Sequence, residues 1–504
     1  TMSHLFGDFA FYTRDNMVFP KPKCNNDIGV WKEKFAGMHI LDVLDKLNDE
    51  KFIMPSDVRA ELLRETVLKL KSELPKNFQE AWNHPDPKFR ERWRSGFKKE
   101  LGSMNKRKVW RVIKRSDMPK NRRCVKSKWV FDIKRSGIFK VRLVACGYTQ
   151  VPGVDFTDSY APVITDVSWR ILIVALLVWK LDARIIDVET AFLLGDLEEE
   201  IYMLCPEVHK NDEVLLLVHS IYGLVQAARQ YYKKFISALR ELGFVGGYPD
   251  PCLMTRHGKE GVVFIAIWVD DSLLVGDKMA IDKAIEDLKR KGFTLKVEGS
   301  LQDYLSCEIT LDKEKGVGWI HQPHLVDKLE SKFKTMVEKL QDYRTPGTPG
   351  EHVLRSIELK VDAEKHAIYR SGVGMLLYLV KHSRPDIANA VRELTKALDG
   401  PSPAAYKEML RVVKHTIDTK NLSLRIAPVK PDDDGNWSVV VYSDSDYAGD
   451  RETRVSIAGF VIYLLGVPIS WKSKGMKSVA LSSSEAEYVA LSEAAKEVKF
   501  IYQV

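Results

Sequence analysis

Apolar positions recur at helical spacing early in the chain, at Leu41, Val43, Leu44 and Leu47 and again at Leu62, Leu63, Val67 and Leu70, and predict two amphipathic helices. From Pro75 to about Leu311 the texture changes. Short apolar runs of strand length alternate with amphipathic segments, with helices expected over Pro87–Met104, Ser168–Lys180, Ala227–Leu242 and Ile281–Lys291, the pattern of an α/β or α+β domain. Thr345-Pro-Gly-Thr-Pro-Gly350 is a turn-rich break that marks a linker or a domain edge. Beyond it, helices are expected near Tyr369–His382, Pro385–Leu398 and Pro403–Asp418. Strands at Ser438–Ser443 and Gly459–Leu465 and a last helix from about Ser484 complete the pattern.

The chain has 504 residues, 45% of them apolar and 29% charged, a composition that suits two or three packed globular units and not a disordered chain. Its net charge of +8 is modest but uneven: between Lys106 and Arg142 fifteen Lys or Arg face only Asp117 and Asp132. Such a stretch fits a polyanionic partner, and equally fits a solvated basic surface. The six cysteines, Cys24, Cys124, Cys146, Cys205, Cys252 and Cys307, form no C-x-x-C pair, so neither a zinc ribbon nor a disulfide framework is expected. The longest apolar run, around Ile171–Trp179, is far too short to span a bilayer, and no membrane partner is expected.

The stretch richest in chemistry is Val262-Val-Phe-Ile-Ala-Ile-Trp-Val269, then Asp270-Asp271, then Ser272-Leu-Leu-Val275. Two apolar runs joined by two acids read as a β-hairpin with the carboxylates at its tip. Adjacent like charges beside so much apolar surface are costly unless a cation neutralises them, and a divalent metal would do so. Two-metal phosphoryl transfer needs a further acid from elsewhere in the chain. Asp187, at the end of the short strand Ala183-Arg-Ile-Ile186, is the candidate. Taken alone, an Asp-Asp tip is more often a polar turn, and a strand-ending Asp more often a helix cap.

Around these acids stand further blocks: Val109-Trp110, Lys128-Trp-Val-Phe131, Val141-Arg-Leu-Val-Ala-Cys-Gly-Tyr-Thr-Gln150, Tyr160-Ala-Pro-Val163, Asp187-Val-Glu-Thr-Ala-Phe-Leu-Leu-Gly-Asp-Leu197, Ile201-Tyr-Met203, Ile221-Tyr-Gly-Leu-Val-Gln-Ala-Ala-Arg229 and Trp268-Val-Asp-Asp271. Tyr369-Arg-Ser371 and Arg384-Pro-Asp-Ile387 follow. In this order, from about Pro75 onward, the chain resembles the reverse transcriptase region of copia-type (Ty1/copia, Pseudoviridae-like) retrotransposon polyproteins. The resemblance implies a multidomain α+β and α/β fold: a right-hand polymerase of fingers, palm and thumb, then a connection and a truncated ribonuclease H-like α/β domain. Residues 1–74 would be an N-terminal linker region, 75–320 fingers and palm, 321–430 thumb or connection helices, and 431–504 the partial ribonuclease H-like domain.

The implied activity is RNA-directed DNA polymerisation, with Asp187, Asp270 and Asp271 holding two Mg2+ ions. Phe192 takes the place of a steric gate at the sugar 2′ position, Gln226 that of the nucleotide-pocket glutamine, and Arg142 that of a fingers residue whose forked guanidinium meets the triphosphate. Without the resemblance, Phe192 is as well read as a core aromatic and Arg142 as one more solvated charge. Within the basic stretch, Lys126, Lys128, Lys134 and Lys140 are the expected nucleic-acid contacts. The partners implied are an RNA template, a DNA primer, an RNA/DNA hybrid, dNTPs and other products of a retroelement polyprotein. The location expected is intracellular and cytoplasmic, in a virus-like particle or with access to the nucleus. The chain departs from the family pattern at Trp268, Cys146 and Leu194, where Tyr, Lys and Asn are usual, and at Val225-Gln-Ala-Ala228 in place of Lys-Gln-Ala-Pro.

A second acidic segment, Val441-Tyr-Ser-Asp-Ser-Asp-Tyr-Ala-Gly-Asp450, precedes Ala480-Leu-Ser-Ser-Ser-Glu-Ala-Glu-Tyr488 at the start of the last helix. It is no calcium loop: an EF-hand needs an oxygen side chain at the fifth position and Glu at the twelfth, where Ala448 and Val455 stand. The block resembles the family's ribonuclease H, in which Asp444 and Glu485 would be metal ligands. Ser482-Ser-Ser-Glu485 also fits a helix capping box, with no metal role for Glu485. The family's next element carries a further catalytic Asp, beyond Val504, so the nuclease is expected to be weak or inactive. Two other readings stand beside the polymerase: a decayed or co-opted retroelement fragment that binds nucleic acid through Lys106–Arg142 without chemistry, and a nuclease alone.

Overall fold

The computed structural model describes residues 25–504 apart from 206, 208–211, 300, 349, 351 and 354–359. Expectations that fall on residues 1–24, and on Pro349 of the turn-rich break, lie outside the described residues. The chain forms two units, one from Pro20–Pro162 with Glu189–Glu241, the other from Val163–Val188 with Leu242–Val504. The stretch 75–320 expected to make fingers and palm is thus shared between both.

In the first unit, helix Pro87–Lys106 begins where Asp86 caps it, the carboxylate accepting from the Lys88 and Phe89 amides at 2.8 and 3.2 Å with Pro87 in the first turn. Phe89, Trp93, Phe97, Glu100 and Met104 recur every three or four residues and make its buried stripe. That stripe lies on the antiparallel hairpin Ser127–Ile133 and Phe139–Ala145, whose alternation turns Trp129, Phe131, Val141 and Leu143 inward. Trp93 meets Phe139 at 4.5 Å between ring centroids and Phe97 meets Trp129 at 4.7 Å, both edge to face. Truncating one of these rings would cost about 3–5 kcal/mol. Helices Ile40–Asn48 and Ser56–Lys71 confirm the two early periodicities, and Leu41, Leu44, Val67 and Leu70 join the same core. From residue 40 onward the stretch expected to be a linker is therefore packed structure. A four-stranded sheet, in the order Trp110–Lys114, Glu213–His219, Asp196–Met203, Cys124–Val125, and helix Ala227–Glu241 complete the unit.

The second unit is built on a six-stranded sheet in the order Leu295–Glu298, Asp182–Val188, Asp271–Gly276, Gly261–Trp268, Leu253–Gly258, Val245–Gly246, every pair antiparallel. Helix Asp166–Val178 is apolar all round and buried nearly all round, as such a pattern requires. Its one cation, Arg170, is wholly buried: it donates to the carbonyls of Ile469 at 3.0 Å and Lys381 and lies 4.0 Å from the Trp471 ring. Burial pushes its pKa down to about 10, with Asp166 opposing. A second sheet, Gln302–Tyr304, Cys307–Asp312, Val317–His321, Leu424–Ile426, leads into helices Pro323–Val337, Ala363–His382, Ala388–Thr395 and Pro403–Asp418 around Phe333, Tyr369 and Met409. The last strands, Val439–Asp446, Ile457–Leu464 and Val467–Gly475, carry helix Ser483–Gln503 on one face. Among the described residues no helix is long and apolar enough to cross a membrane.

Candidate active site

The hairpin read from the sequence is present, and its tip is tight. Trp268 and Asp271 are its last paired residues, so Val269 and Asp270 alone make the turn. Val269 takes φ 53°, a left-handed conformation that a β-branched residue adopts only at a cost of about 1–3 kcal/mol. Asp271 pairs directly with Asp187 on the neighbouring strand, and the Val188 amide donates to the Asp270 carbonyl at 3.0 Å. Asp187 in turn pairs with Lys296 on strand Leu295–Glu298. Residues directly opposite one another share a face of the sheet, so Lys296, Asp187, Asp271 and Trp268 form one row across four strands.

The three acids predicted from sequence are thus brought to one end of one sheet. They do not close into a cage: among the described residues no three His, Cys, Asp or Glu side chains are set to hold a metal ion. Like-charged carboxylates stay apart unless a cation neutralises them. The donor set nevertheless suits a hard divalent ion, being oxygen throughout. Two neighbours register its negative field. The Lys296 ammonium is held above its ordinary pKa, first by its bond to Glu298 and further by Asp187 and Asp271. The Tyr304 phenol, wholly buried with its hydroxyl donating to the Ala266 carbonyl at 3.2 Å, is pushed well up by burial and then by Asp271. Lys296 escaped the sequence reading because nothing in Thr294-Leu-Lys-Val297 says which strand it will pair with.

In the first unit, Arg142 and Phe192 are brought together. Arg142 points to the outer face of its strand, opposite Val130, with Lys128 and Lys140 on the same face. Its guanidinium lies 5.1 Å from the Tyr222 ring centroid, and its buried Nε has no hydrogen-bond partner among the described residues. Phe192, half-buried in the 3-10 turn Ala191–Leu194, meets the same Tyr222 edge to face at 5.2 Å. Lys126, Lys128 and Lys134 are exposed and Lys140 is half-buried. Gln226 is wholly buried and engaged: its Nε2 donates to the Asp155 carbonyl at 2.7 Å, and its Oε1 accepts from Gln150 at 3.0 Å. Arg107, which sequence reasoning passed over, donates to Thr190 Oγ1 at 2.9 Å; burial lowers its pKa while Tyr222 and Glu189 raise it.

At the C-terminal end Asp444 sits on an edge strand opposite Gly459. Glu485 closes the capping box: its amide donates to Ser482 Oγ at 3.1 Å and its carboxylate accepts from the Leu481 amide at 2.6 Å. The helix acid that reaches the Asp444 strand is Glu487, which accepts from the Ser445 amide at 3.4 Å. Asp450 is held by Lys396 at 2.8 Å and by the Thr453 amide at 2.8 Å, a structural role that keeps its carboxyl far below the ordinary range.

Residues 107–342 match the family model described as reverse transcriptase (RNA-dependent DNA polymerase). The chain is 32% identical over 443 residues to the retrovirus-related Pol polyprotein from transposon TNT 1-94 of Nicotiana tabacum, covering 84% of this chain and 32% of that protein. It is 30% identical to the Pol polyprotein from transposon RE2 of Arabidopsis thaliana, over 82% of this chain and 28% of that one. It is 27% identical to the transposon Ty1-DR1 Gag-Pol polyprotein of Saccharomyces cerevisiae, over 81% of this chain and 24% of that one. The chain therefore spans about a third or less of the polyproteins it matches. A solved foamy viral protease-reverse transcriptase in complex with double-stranded DNA aligns over 92% of this chain and 73% of its own, at a TM-score of 0.43 and 10% identity. Residues 107–342 thus match the reverse transcriptase family, and the chain as a whole is similar to one segment of copia-like transposon Pol polyproteins.

Proposed function

We propose that the chain extends a DNA primer on an RNA template. The observation that carries this reading is the pairing of Asp187 with Asp271 across adjacent strands, with Asp270 in the turn beside them. Reverse transcriptases use divalent metal ions, and the three aspartates would hold two, magnesium in this reading. The ions would supply the positive charge that activates the primer 3′-hydroxyl and stabilises the leaving pyrophosphate. Lys296 shares the row with Asp187 and Asp271 and sets a positive charge beside them. Arg142 would offer its guanidinium, set over the Tyr222 ring, to the dNTP phosphates, and Phe192 bulk with no hydrogen-bonding group to the sugar 2′ position. Lys126, Lys128, Lys134 and Lys140 would meet the nucleic-acid backbone, adding a salt-dependent affinity without sequence preference.

Residues 431–504 would form a ribonuclease H-like part acting on an RNA/DNA hybrid. Its helix acid is better assigned to Glu487 than to Glu485, whose carboxylate the cap engages.

The test is primer extension on an RNA template by the wild type and by an Asp270→Asn/Asp271→Asn variant. Extension by the wild type that falls at least ~100-fold in the variant is expected, since the variant keeps the fold and loses the ion ligands. Extension that survives the double substitution would sink the metal assignment. Hybrid binding without extension by the wild type would favour a co-opted binding fragment.

A further inference from the structure

Tyr222 lies between the two residues that are proposed to handle the nucleotide's sugar and its phosphates. Phe192 meets its ring edge on, centroids 5.2 Å apart and planes at 85°. The Arg142 guanidinium stands 5.1 Å from the same ring. Both relationships are fixed by the backbone. The Tyr222 carbonyl accepts from the Ala145 amide at 2.8 Å, three residues beyond Arg142 on the same strand. Gly223, next in the chain, has φ +88° and packs so closely that an added Cβ would stand 2.2 Å from the Ala145 carbonyl oxygen. Only glycine fits there, and it holds the ring against that strand. On the other side, Ser220 Oγ donates to the Phe192 carbonyl, and the Ser220 amide donates to Gly195 at 2.8 Å, so the turn that carries Phe192 is pinned two residues before Tyr222.

We propose that Tyr222 is a positioning residue that sets sugar discrimination and triphosphate affinity together, an inference that rests on the polymerase reading. The ring face attracts the guanidinium and its presence fixes the direction of the fork. The ring also blocks Phe192 from turning aside, which keeps its bulk where a 2′-hydroxyl would sit. Loss of the ring frees both side chains at once. Loss of the phenol hydroxyl alone leaves both contacts.

Single-nucleotide addition with dNTP and with rNTP, by the wild type, Tyr222→Phe and Tyr222→Leu, tests this. Tyr222→Phe keeps the wild-type KM and the wild-type preference for dNTP. Tyr222→Leu raises KM for dNTP by roughly 5- to 30-fold, the worth of a cation–π contact, and lowers the dNTP-to-rNTP preference about tenfold while kcat moves less. Tyr222→His, with a smaller ring, replaces the Leu variant should that one fail to fold, and gives an intermediate loss. A fall in kcat alone, with the preference unmoved, would reveal a purely structural residue and overturn the inference while leaving the polymerase reading intact. A wild type that adds neither nucleotide overturns both.

Discussion

Asp187 and Asp271 sit directly opposite each other on adjacent antiparallel strands, so both carboxylates leave the same face of the sheet as cross-strand neighbours. Like charges in that position destabilise the sheet. Asp271→Asn is therefore expected to lose primer extension by at least ~100-fold while raising stability by about 0.2–1 kcal/mol. Chemical denaturation of the metal-free chain checks the second half. A variant that loses both activity and stability would show that Asp271 serves the fold and not the chemistry.

Glu308 accepts from His321 at 3.2 Å and from His324 at 3.1 Å, and these bonds, with burial opposing, hold its carboxyl down at about 2. A folded-state pKa below the unfolded one means that the stabilisation is fully present above the ordinary Glu value and is lost as pH falls towards 2. Glu308 is a quarter exposed, so solvent screening limits the contribution to roughly 1–3 kcal/mol. Urea denaturation of wild type and Glu308→Gln should differ by that amount at pH 7, and the difference should shrink as pH falls below about 4.3. A gap that stays constant down to pH 3 would contradict the assignment.

Glu485 and Glu487 are two residues apart and predicted to behave differently. Glu485→Ala removes the carboxylate that satisfies the Leu481 amide and should cost about 0.5–1.5 kcal/mol, seen as faster amide exchange over residues 481–486. Glu487→Ala leaves the cap intact and should leave that exchange unchanged. Equal exchange in the two variants would remove the distinction.

Much of this was legible in the sequence because it is local. The hairpin carrying Asp270 and Asp271 announces itself through two apolar runs, and helix Pro403–Asp418 through proline after serine at its start. The segment Pro385–Leu398 read as one helix but divides into a 3-10 turn at Pro385–Ile387 and a helix at Ala388–Thr395. There Asp386 holds Arg384 through two 2.8 Å bonds and fixes the turn. Glu485 had two readings, and its carboxylate takes the local one, because a backbone amide four residues away costs less to reach than another strand. Lys296 and Tyr222 were hidden for a different reason: Lys296 matters only through its register with Asp187, 109 positions earlier, and Tyr222 only through Arg142 and Phe192.

The row Lys296, Asp187, Asp271, Trp268 also determines how the chain tolerates insertion and deletion. Side chains alternate between faces with a period of two, so one residue gained or lost within Asp182–Val188 or Asp271–Gly276 would carry an aspartate to the opposite face. Point substitutions elsewhere in these strands leave the row in place. Copies of this sequence that keep every carboxylate but differ in strand length by an odd number would therefore be as inactive as copies that have lost one.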